Sequence, residues 1–564
     1  MRNAALRLCL FFVVASQVCA CAARRDTRPR VTGPASLVLI HTADLHSHLF
    51  PEPLLVGPAD AARGLGASGK VSEVGGFARI AGIVNAMRAG AEHSLYLDSG
   101  DLIEGTATFT AFGGEAELRA FSALGLGAAA LGNHDLDPGA EEFASKHAQF
   151  AEFPVLASDF AQNGSELSSV LGASVLLDAQ GLRVGVIGVA NPSSPSGLGR
   201  ADNPYGVLLL DTAEAVQAEI DRLRASADVI VALSHLGLDG DEALIKATTG
   251  LDVVLGGHQH LTLEAALERQ DCGAALHAER GCEPRSVVLV HSGALGRYVG
   301  EVDLALVPAD TTPLDGRRYL VESATHSLVP VSADTPEDPT LGSLLEPYRA
   351  ALHDAGFDAK LAYALGPVPR YGPNGGDSAL GDLITDVVRA DSGSDFAILN
   401  TTGIRADLPP GELTRSAFVA TLPFSDSLVE LTLSGAQLRL LLTQQARVAS
   451  ERECESPLQI SGFRLEFKCS GSGSSALARR VADDGTLADL VPSASYTLVT
   501  SEYLADGGSG FDLLAQLPDR RALDRDPLDL LLDAVKRMPS CAQSRLPCLD
   551  PARLRDGRIS ARPG

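Results

Sequence analysis

The sequence predicts an α/β fold in more than one domain, and three observations carry the prediction. Five short apolar runs, at residues 37–40, 95–97, 128–131, 229–233 and 253–255, have the length and the Val, Ile, Leu and Ala content of buried strands. Stretches with helical spacing lie between them, at 75–88 and 212–227, and such alternation builds βαβ units with a parallel sheet. Each run is also followed by a short polar cluster: Asp44-Leu45-His46, Gly100-Asp101, Gly132-Asn133-His134-Asp135, Ser234-His235 and Gly257-His258-Gln259-His260. Side chains at the carboxyl ends of parallel strands converge on one crevice. The 564 residues exceed one domain at roughly 100–200 residues each.

Taken in order, the chain opens with an export signal at 1–20. Arg2 and Arg7 precede a brief apolar stretch, too short to span a bilayer, and small residues follow. Val18-Cys19-Ala20-Cys21 has the look of a lipoprotein cleavage box, with Cys21 as the lipid-anchored residue; simple cleavage nearby is the alternative. An Arg/Pro-rich tether is expected over 21–35. Residues 36–330 carry the five runs and form the first domain, closed by strands at 286–292 and 298–306. Residues 52–74 lack a clear period and are expected to be a loop. The segment 262–285 is expected to be an excursion from the sheet. Residues 331–360, with Pro336 and Pro339 ahead of a helical pattern through Leu344, Leu345, Tyr348 and Leu352, form a connector helix. A second domain spans 361–536, with a helix near 378–390 and strands near 396–399, 428–433 and 496–500. The tail 537–564 is expected to be an appendage.

The net charge of −25 argues against a nucleic-acid polymer as partner, because phosphate backbones are held by basic surface. Of nine cysteines, Cys9, Cys19 and Cys21 fall in the signal and anchor. The other six form sequence-local couples, Cys272/Cys282, Cys454/Cys469 and Cys541/Cys548, and an even number in an exported chain reads as disulfides. Six cysteines allow 15 pairings, of which local pairing is the simplest.

Carboxylate, amide and imidazole at the ends of neighbouring strands suit a pair of divalent metals. The five clusters, in this order, resemble the calcineurin-like metallophosphoesterases. Further on, Asn400-Thr401-Thr402-Gly403-Ile404-Arg405, Leu422-Pro423-Phe424 and the segment from Tyr503 to Phe511 resemble the second domain of the 5′-nucleotidase family within them. The resemblance covers about residues 36–515. It implies a four-layer α-β-β-α sandwich followed by a smaller α+β substrate-binding domain, and hydrolysis of phosphoric esters by in-line attack of a metal-bridging hydroxide.

By the same resemblance Asp101 bridges two divalent ions (Zn, Mn, Fe or Co); Asp44, His46 and His260 complete one, and Asn133, His235 and His258 the other. His134 matches the catalytic histidine and Asp137 the acid that orients it. Asn400 and Arg405 would contact the nucleoside, with Arg405 also holding an anionic group. Phe424 and Tyr503 would sandwich a base. Ser509 stands where the family usually has an Asp that binds ribose hydroxyls. Thr401 and Thr402 stand where its loop is Gly-rich, and their branched side chains would crowd a ligand. Asp382 falls where some relatives carry a basic residue, so its charge would repel a polyphosphate. His41 and His48 read as packing residues beside the ligands, and His291 could line the site. The implied activity is an exported 5′-nucleotidase of the periplasm or outer cell envelope, with two domains that rotate to carry substrate to the metals. A 2′,3′-cyclic-nucleotide phosphodiesterase and a thiosulfohydrolase-like enzyme are the alternatives, and a surface binding protein on a phosphatase scaffold is the non-enzymatic one. The intact polar clusters argue against the last.

Overall fold

The computed structural model describes residues 30–162, 164–192, 203, 205–309, 317–424, 427–482 and 484–563. The expected signal and Cys21 lie outside them. The tether is described only from residue 30, and there it is held to the first domain: Val31 donates its N–H to Gly181 O at 3.3 Å and the Tyr319 hydroxyl donates to Gly33 O at 2.9 Å.

The first domain is built on two sheets. One contains β1 (Ala35–Thr42), β2 (Ser94–Asp98), β3 (Ala128–Ala130), β4 (Val155–Leu156) and β5 (Leu171–Gly172). The other contains β6 (Ser174–Ala179), β7 (Leu182–Val189), β8 (Val229–Ser234), β9 (Val253–Gly256), β10 (Leu267–Gln270) and β11 (Ser286–His291). Strands β12 (Tyr298–Pro308) and β13 (Tyr319–Pro330) extend the first sheet, giving the order β13-β12-β1-β2-β3-β4-β5; the second runs β10-β11-β9-β8-β7-β6.

Side-chain alternation sorts the cores. In β1, Leu37 and Leu39 face the second sheet and pack with Val184, Val231, Leu233 and Val253. Val38 and Ile40 face outward onto Phe77 and Ile80 of α1 (Phe77–Gly90) and Phe121 of α2 (Glu115–Leu124). On the far side, Ile187, Ile230 and Ala232 pack on Val216 and Ile220 of α3 (Thr212–Leu223). Strands buried on both faces need helices on both outer faces, which gives four layers. The helix expected over 212–227 stops at Leu223.

Parallel register brings the carboxyl ends level. Thr42 pairs with Asp98, Val189 with Ser234, Ser234 with Gly256, and Gly256 with His291. The polar clusters therefore open onto one edge of the sandwich.

Two expectations for this domain need correction. Residues 52–74 are not an irregular loop: Glu52–Leu55 and Val71–Val74 form an antiparallel hairpin that encloses a short helix, Pro58–Ala62. Nor is 262–285 wholly an excursion, since β10 is the edge strand of the second sheet and pairs with β11. A period shorter than two strand repeats was too weak to reveal either.

The connector is α4 (Pro339–Asp354), with Pro339 at its first position and Asp338 as cap, accepting the N–H groups of Thr340 and Leu341 at 2.9 and 3.0 Å. Leu341 and Leu345 belong to the core under α1 and α2, whereas Leu352 packs with Ala107, Phe357 and Val419.

In the second domain α5 (Ala379–Ser392) and α6 (Gly435–Ser450) flank a sheet of β14 (Phe396–Asn400), β15 (Leu428–Ser434), β16 (Leu458–Ser461), β18 (Ser495–Ser501) and β19 (Arg520–Ala522), in the order β16-β14-β18-β15-β19. Strand β17 (Phe463–Cys469) begins a second, smaller sheet.

The tail is not an appendage. Its last strand, β20 (Ile559–Pro563), pairs in parallel with β17, and Cys548–Leu549 pairs with Lys360–Ala364. Arg558, buried, donates to both Asp386 oxygens at 2.6 and 3.0 Å and lies 3.2 Å from Asp382 Oδ1. This also corrects the reading of Asp382. It is fully buried against Arg558 and the tail, so its charge does not meet a substrate. Three disulfides join the local couples: Cys272–Cys282, Cys454–Cys469 and Cys541–Cys548.

Candidate metal centre

The site starts from backbone geometry. Asp44, His46, Asp101, His258 and His260 all have φ between 48° and 74°, in the left-handed region, and none is glycine. That conformation costs an L-residue about 1–2 kcal/mol and persists only where the surroundings dictate it. Here they do. Asp44 and His46 donate their N–H groups to Gly100 O and Asp101 O at 2.9 and 3.0 Å, locking the loop after β1 to the loop after β2. The His258 N–H donates to Asp44 Oδ1 at 2.9 Å, bringing in the loop after β9. His134 N–H donates to Asp101 Oδ1 at 2.8 Å. Gly132 must lack a Cβ, which would stand 2.1 Å from the Asp101 nitrogen.

A residue that sequence reasoning passed over ties these loops together. Asp135 is fully buried, and its two oxygens accept four backbone N–H groups: Asp101 (3.1 Å), Gly132 (2.8 Å), Leu102 (2.9 Å) and Ile103 (3.3 Å). Its place in Gly-Asn-His-Asp was the only available signal.

The expected ligands converge. Asp101 Oδ2 lies 3.5 Å from His46 Nε2 and 3.1 Å from His235 Nε2, between the two groups of side chains. His46 Nε2 and His260 Nε2 are 3.1 Å apart, and His260 Nε2 is 3.7 Å from Asp44 Oδ1. On the other side His258 Nδ1 is 3.0 Å from Asn133 Oδ1. Asp44, His46 and His260 form one set of donor atoms mutually within 4.8 Å, and Asp44, Asp101 and His235 a second, so Asp44 borders both.

This donor set fits divalent cations. His46 Nδ1 faces the Glu104 carbonyl at 3.2 Å and His235 Nδ1 the Ser99 carbonyl at 2.7 Å, contacts that require Nδ1–H and leave each Nε2 lone pair facing inward. Two imidazole nitrogens turned toward each other and two buried carboxylates on the same point are a poor arrangement among themselves and a good one around positive charge. Protonation follows the same logic. Burial opposes a charge on His235, but Asp101 and Asp44 outweigh it and lift its pKa to about 10. Burial and the neighbouring Asp101 push Asp44 up to about 7, while burial and His235 hold His258 down at about 4. Bound cations take the place of such protons.

Beside the donors, His134 Nδ1 is 2.6 Å from Asp137 Oδ2. Burial disfavours the charged ring, but the Asp137 and Asp101 carboxylates raise its pKa. The second domain reaches the same place. Arg405 Nη2 is 3.1 Å from His46 Nε2, its guanidinium carbon is 5.7 Å from the Phe424 ring centre, and Phe424 stacks on His134 at 5.3 Å and 22°. Arg370, missed in the sequence, donates to the Arg405 and Ile404 carbonyls and lies 4.9 Å from the Tyr371 ring centre. A basic-aromatic pair in so acidic a chain was its only trace.

The other expected substrate contacts are less gathered. Tyr503 lies flat on Gly508, whose added Cβ would be 2.4 Å from the ring, and its hydroxyl is 3.3 Å from Ser509 Oγ and accepts the Ser509 N–H at 3.2 Å. Among the described residues Tyr503 makes no ring contact with Phe424, whose ring partner is His134. Asn400 Nδ2 donates to Thr402 Oγ1 at 3.1 Å. Thr401 does not crowd a ligand: its side chain is buried and donates to Ser456 O at 3.0 Å. His48 pairs with Glu52 at 2.9 Å, His291 is buried against Asp241 at 2.9 Å, and His41 packs beside His326.

Residues 37–261 match the family described as calcineurin-like phosphoesterase, and residues 364–516 the family described as 5′-nucleotidase, C-terminal domain. A 5′-nucleotidase of Diplobatis ommata is 26% identical over 536 residues, 90% of this chain and 88% of that one. The structure of a 5′-nucleotidase precursor from Thermus thermophilus has a TM-score of 0.78 at 26% identity, covering 93% of this chain and 99% of that one. A sulfate thiohydrolase from the same organism, at 17% identity, shares the fold with a TM-score of 0.70 over 94% of this chain and 97% of its own.

Proposed function

Because this chain belongs to the 5′-nucleotidase family of the calcineurin-like metallophosphoesterases, we propose that it is an exported hydrolase that releases phosphate from nucleoside 5′-monophosphates. The observation that carries the reading is the approach of Arg405 Nη2 to within 3.1 Å of His46 Nε2, which joins an anion-binding fork of one domain to the donor set of the other.

Asp44, His46 and His260, with Asp101 shared, would hold one divalent ion (Zn, Mn, Fe or Co); Asn133, His235 and His258 would hold the other. Two such ions supply Lewis-acid stabilisation of phosphoryl oxygens and a water acidic enough to act as nucleophile near neutral pH. The chain itself does the rest. Arg405 offers two N–H donors to the non-bridging oxygens. His134, whose charged form Asp137 favours against burial, donates to the charge that develops as the ester bond breaks. Phe424, stacked on His134 and beside Arg405, is a flat apolar ring that would take a base in exchange for these contacts. Asn400, Tyr503 and Ser509 would complete the nucleoside site.

Export rests on the residues of segment 1–20 and on the three disulfides, which belong to an oxidising compartment. Lipid anchoring through Cys21 would hold the enzyme at the cell envelope. No helix among the described residues is long and apolar enough to cross a membrane.

The test is phosphate release from 5′-AMP by the metal-loaded mature chain, beside ring opening of 2′,3′-cyclic AMP followed by chromatography, with Asp101→Ala as control. Release from 5′-AMP that vanishes in the control supports the reading. Opening of the cyclic ester without 5′-AMP turnover moves the function to a phosphodiesterase, and inertness toward both removes the nucleoside altogether.

A further inference from the structure

Among the hydrogen bonds that tie the loop carrying Asn400 and Arg405 to its own domain, one comes from a buried side-chain amide. We propose that Gln459 is a positioning residue for substrate binding: it fixes Thr401 to the first turn of α5 and thereby sets where Asn400 and Arg405 stand over the metal centre. The inference rests on the nucleotide reading above.

Gln459 lies in β16, opposite Leu399 of β14, and is fully buried. Both ends of its amide are engaged. Oε1 accepts the Ser378 N–H at 2.9 Å, and Ser378 is the cap of α5, its hydroxyl accepting the Gly381 N–H at 2.8 Å. Nε2 donates to Thr401 Oγ1 at 3.1 Å. Thr401 passes the constraint on: its hydroxyl donates to Ser456 O at 3.0 Å and its N–H to Pro457 O at 2.9 Å. The amide has no room to swing, because a Cβ on Gly381 would stand 2.4 Å from its Oε1 and Cγ.

Strand pairing does not need this amide. Ladder contacts from Ala397 opposite Ser461 to Asn400 opposite Leu458 already join β14 to β16. What the amide adds is a link across that pair, from a helix N-terminus to the first residue after β14. The next links lead to the metal centre: Asn400 Nδ2 donates to Thr402 Oγ1, Arg405 Nη1 lies 3.5 Å from Thr402 O, and Arg405 Nη2 is at His46. An apolar side chain at 459 leaves the buried Ser378 N–H without its acceptor and the Thr401 hydroxyl held only through Ser456 O, and a shift of Thr401 passes to Arg405 four residues on.

The test uses the full metal-loaded chain with Gln459→Met, which keeps the length and removes both hydrogen bonds, Thr401→Val, which removes only the hydroxyl, Thr401→Ser, which keeps it, and the Gln459→Met/Thr401→Val double variant. The readouts are kcat and KM for 5′-AMP, bound metal and melting temperature. Expected is a KM for 5′-AMP raised about tenfold in Gln459→Met and in Thr401→Val, kcat within threefold, full metal content, wild-type behaviour in Thr401→Ser, and a double variant no worse than the worse single one. Should Gln459→Met not fold, Thr401→Val and Thr401→Ser decide alone. Unchanged KM in a folded Thr401→Val protein, effects that multiply in the double variant, or a fall in kcat at constant KM, as from a smaller active fraction, overturns the proposal. If the wild-type chain prefers p-nitrophenyl phosphate to 5′-AMP, the nucleotide reading itself fails and takes the proposal with it; a wild-type preference for 5′-AMP that Thr401→Val preserves with unchanged KM sinks the positioning role alone.

Discussion

Phe424 stacks on His134 with ring centres 5.3 Å apart and planes 22° from parallel, so an aromatic of the second domain lies directly on the imidazole beside Asn133 in the first. Neither ring has a local reason for this contact, since 290 positions separate the two residues in the sequence.

If Phe424 exchanges its contact with His134 for a base, Phe424→Ala should raise KM for 5′-AMP about ten- to a hundredfold, the equivalent of about 1–3 kcal/mol of base stacking. Steady-state kinetics with 5′-AMP and with p-nitrophenyl phosphate check it. Equal losses on both substrates would mean that the ring supports His134 rather than a base.

Asp137 holds His134 Nδ1 at 2.6 Å. Asp137→Asn keeps the size and removes the charge that orients and protonates the ring. Its kcat should fall by about a hundredfold, the lower end of general acid–base effects because His134 itself remains, with bound metal unchanged. Metal analysis alongside kinetics separates this from damage to the donor set.

Asp135 is expected to matter for assembly rather than chemistry. In Asp135→Asn one oxygen becomes an NH2 group facing backbone donors, so two of the four N–H groups it serves lose their acceptor. Two buried unpaired donors cost about 2–6 kcal/mol. Calorimetric melting should show the loss, and metal content should fall because Asp101 and the loop after β3 are no longer held together. An unchanged melting temperature would show that the cradle is dispensable.

Glu117 gives the fold a pH dependence. It lies fully buried in the first turn of α2, and burial, only partly offset by Ser47, lifts its pKa from the ordinary 4.5 to about 7. A carboxyl held above its unfolded value binds its proton more tightly in the native state. Stability is therefore lost as pH rises from about 4.5 to about 7 and remains lower beyond it. The size is up to about 3 kcal/mol. Glu117→Gln should flatten this part of the curve and melt higher than wild type at pH 8, as measured by calorimetry from pH 5 to 8; parallel curves for the two proteins would refute the assignment.

Much of this was legible in the chain. A strand buried on both faces must be apolar throughout, so β1, β2, β8 and β9 stood out, and polar residues just past their ends could only face the crevice where parallel strands stop. The sequence therefore determined the α/β class, the helices near 77 and 212, the polar clusters at the strand ends and the cysteine couples, whose short separations made local pairing simplest; the seven metal-site candidates among those clusters came from the family resemblance. It did not determine the hairpin at 52–74, because four-residue strands carry too little period, nor the role of the tail, because Arg558 finds Asp382 and Asp386 only after the chain has folded back. Tertiary structure alone decided that Asp382 points into an ion pair, that Thr401 turns away from the entrance, that Asp135 and Gln459 serve as scaffolding, and that Arg405 meets His46. Each of these is a contact between polar atoms far apart in sequence. Hydrophobic periodicity records which face of an element is buried, but it carries no information on which buried donor will meet which acceptor.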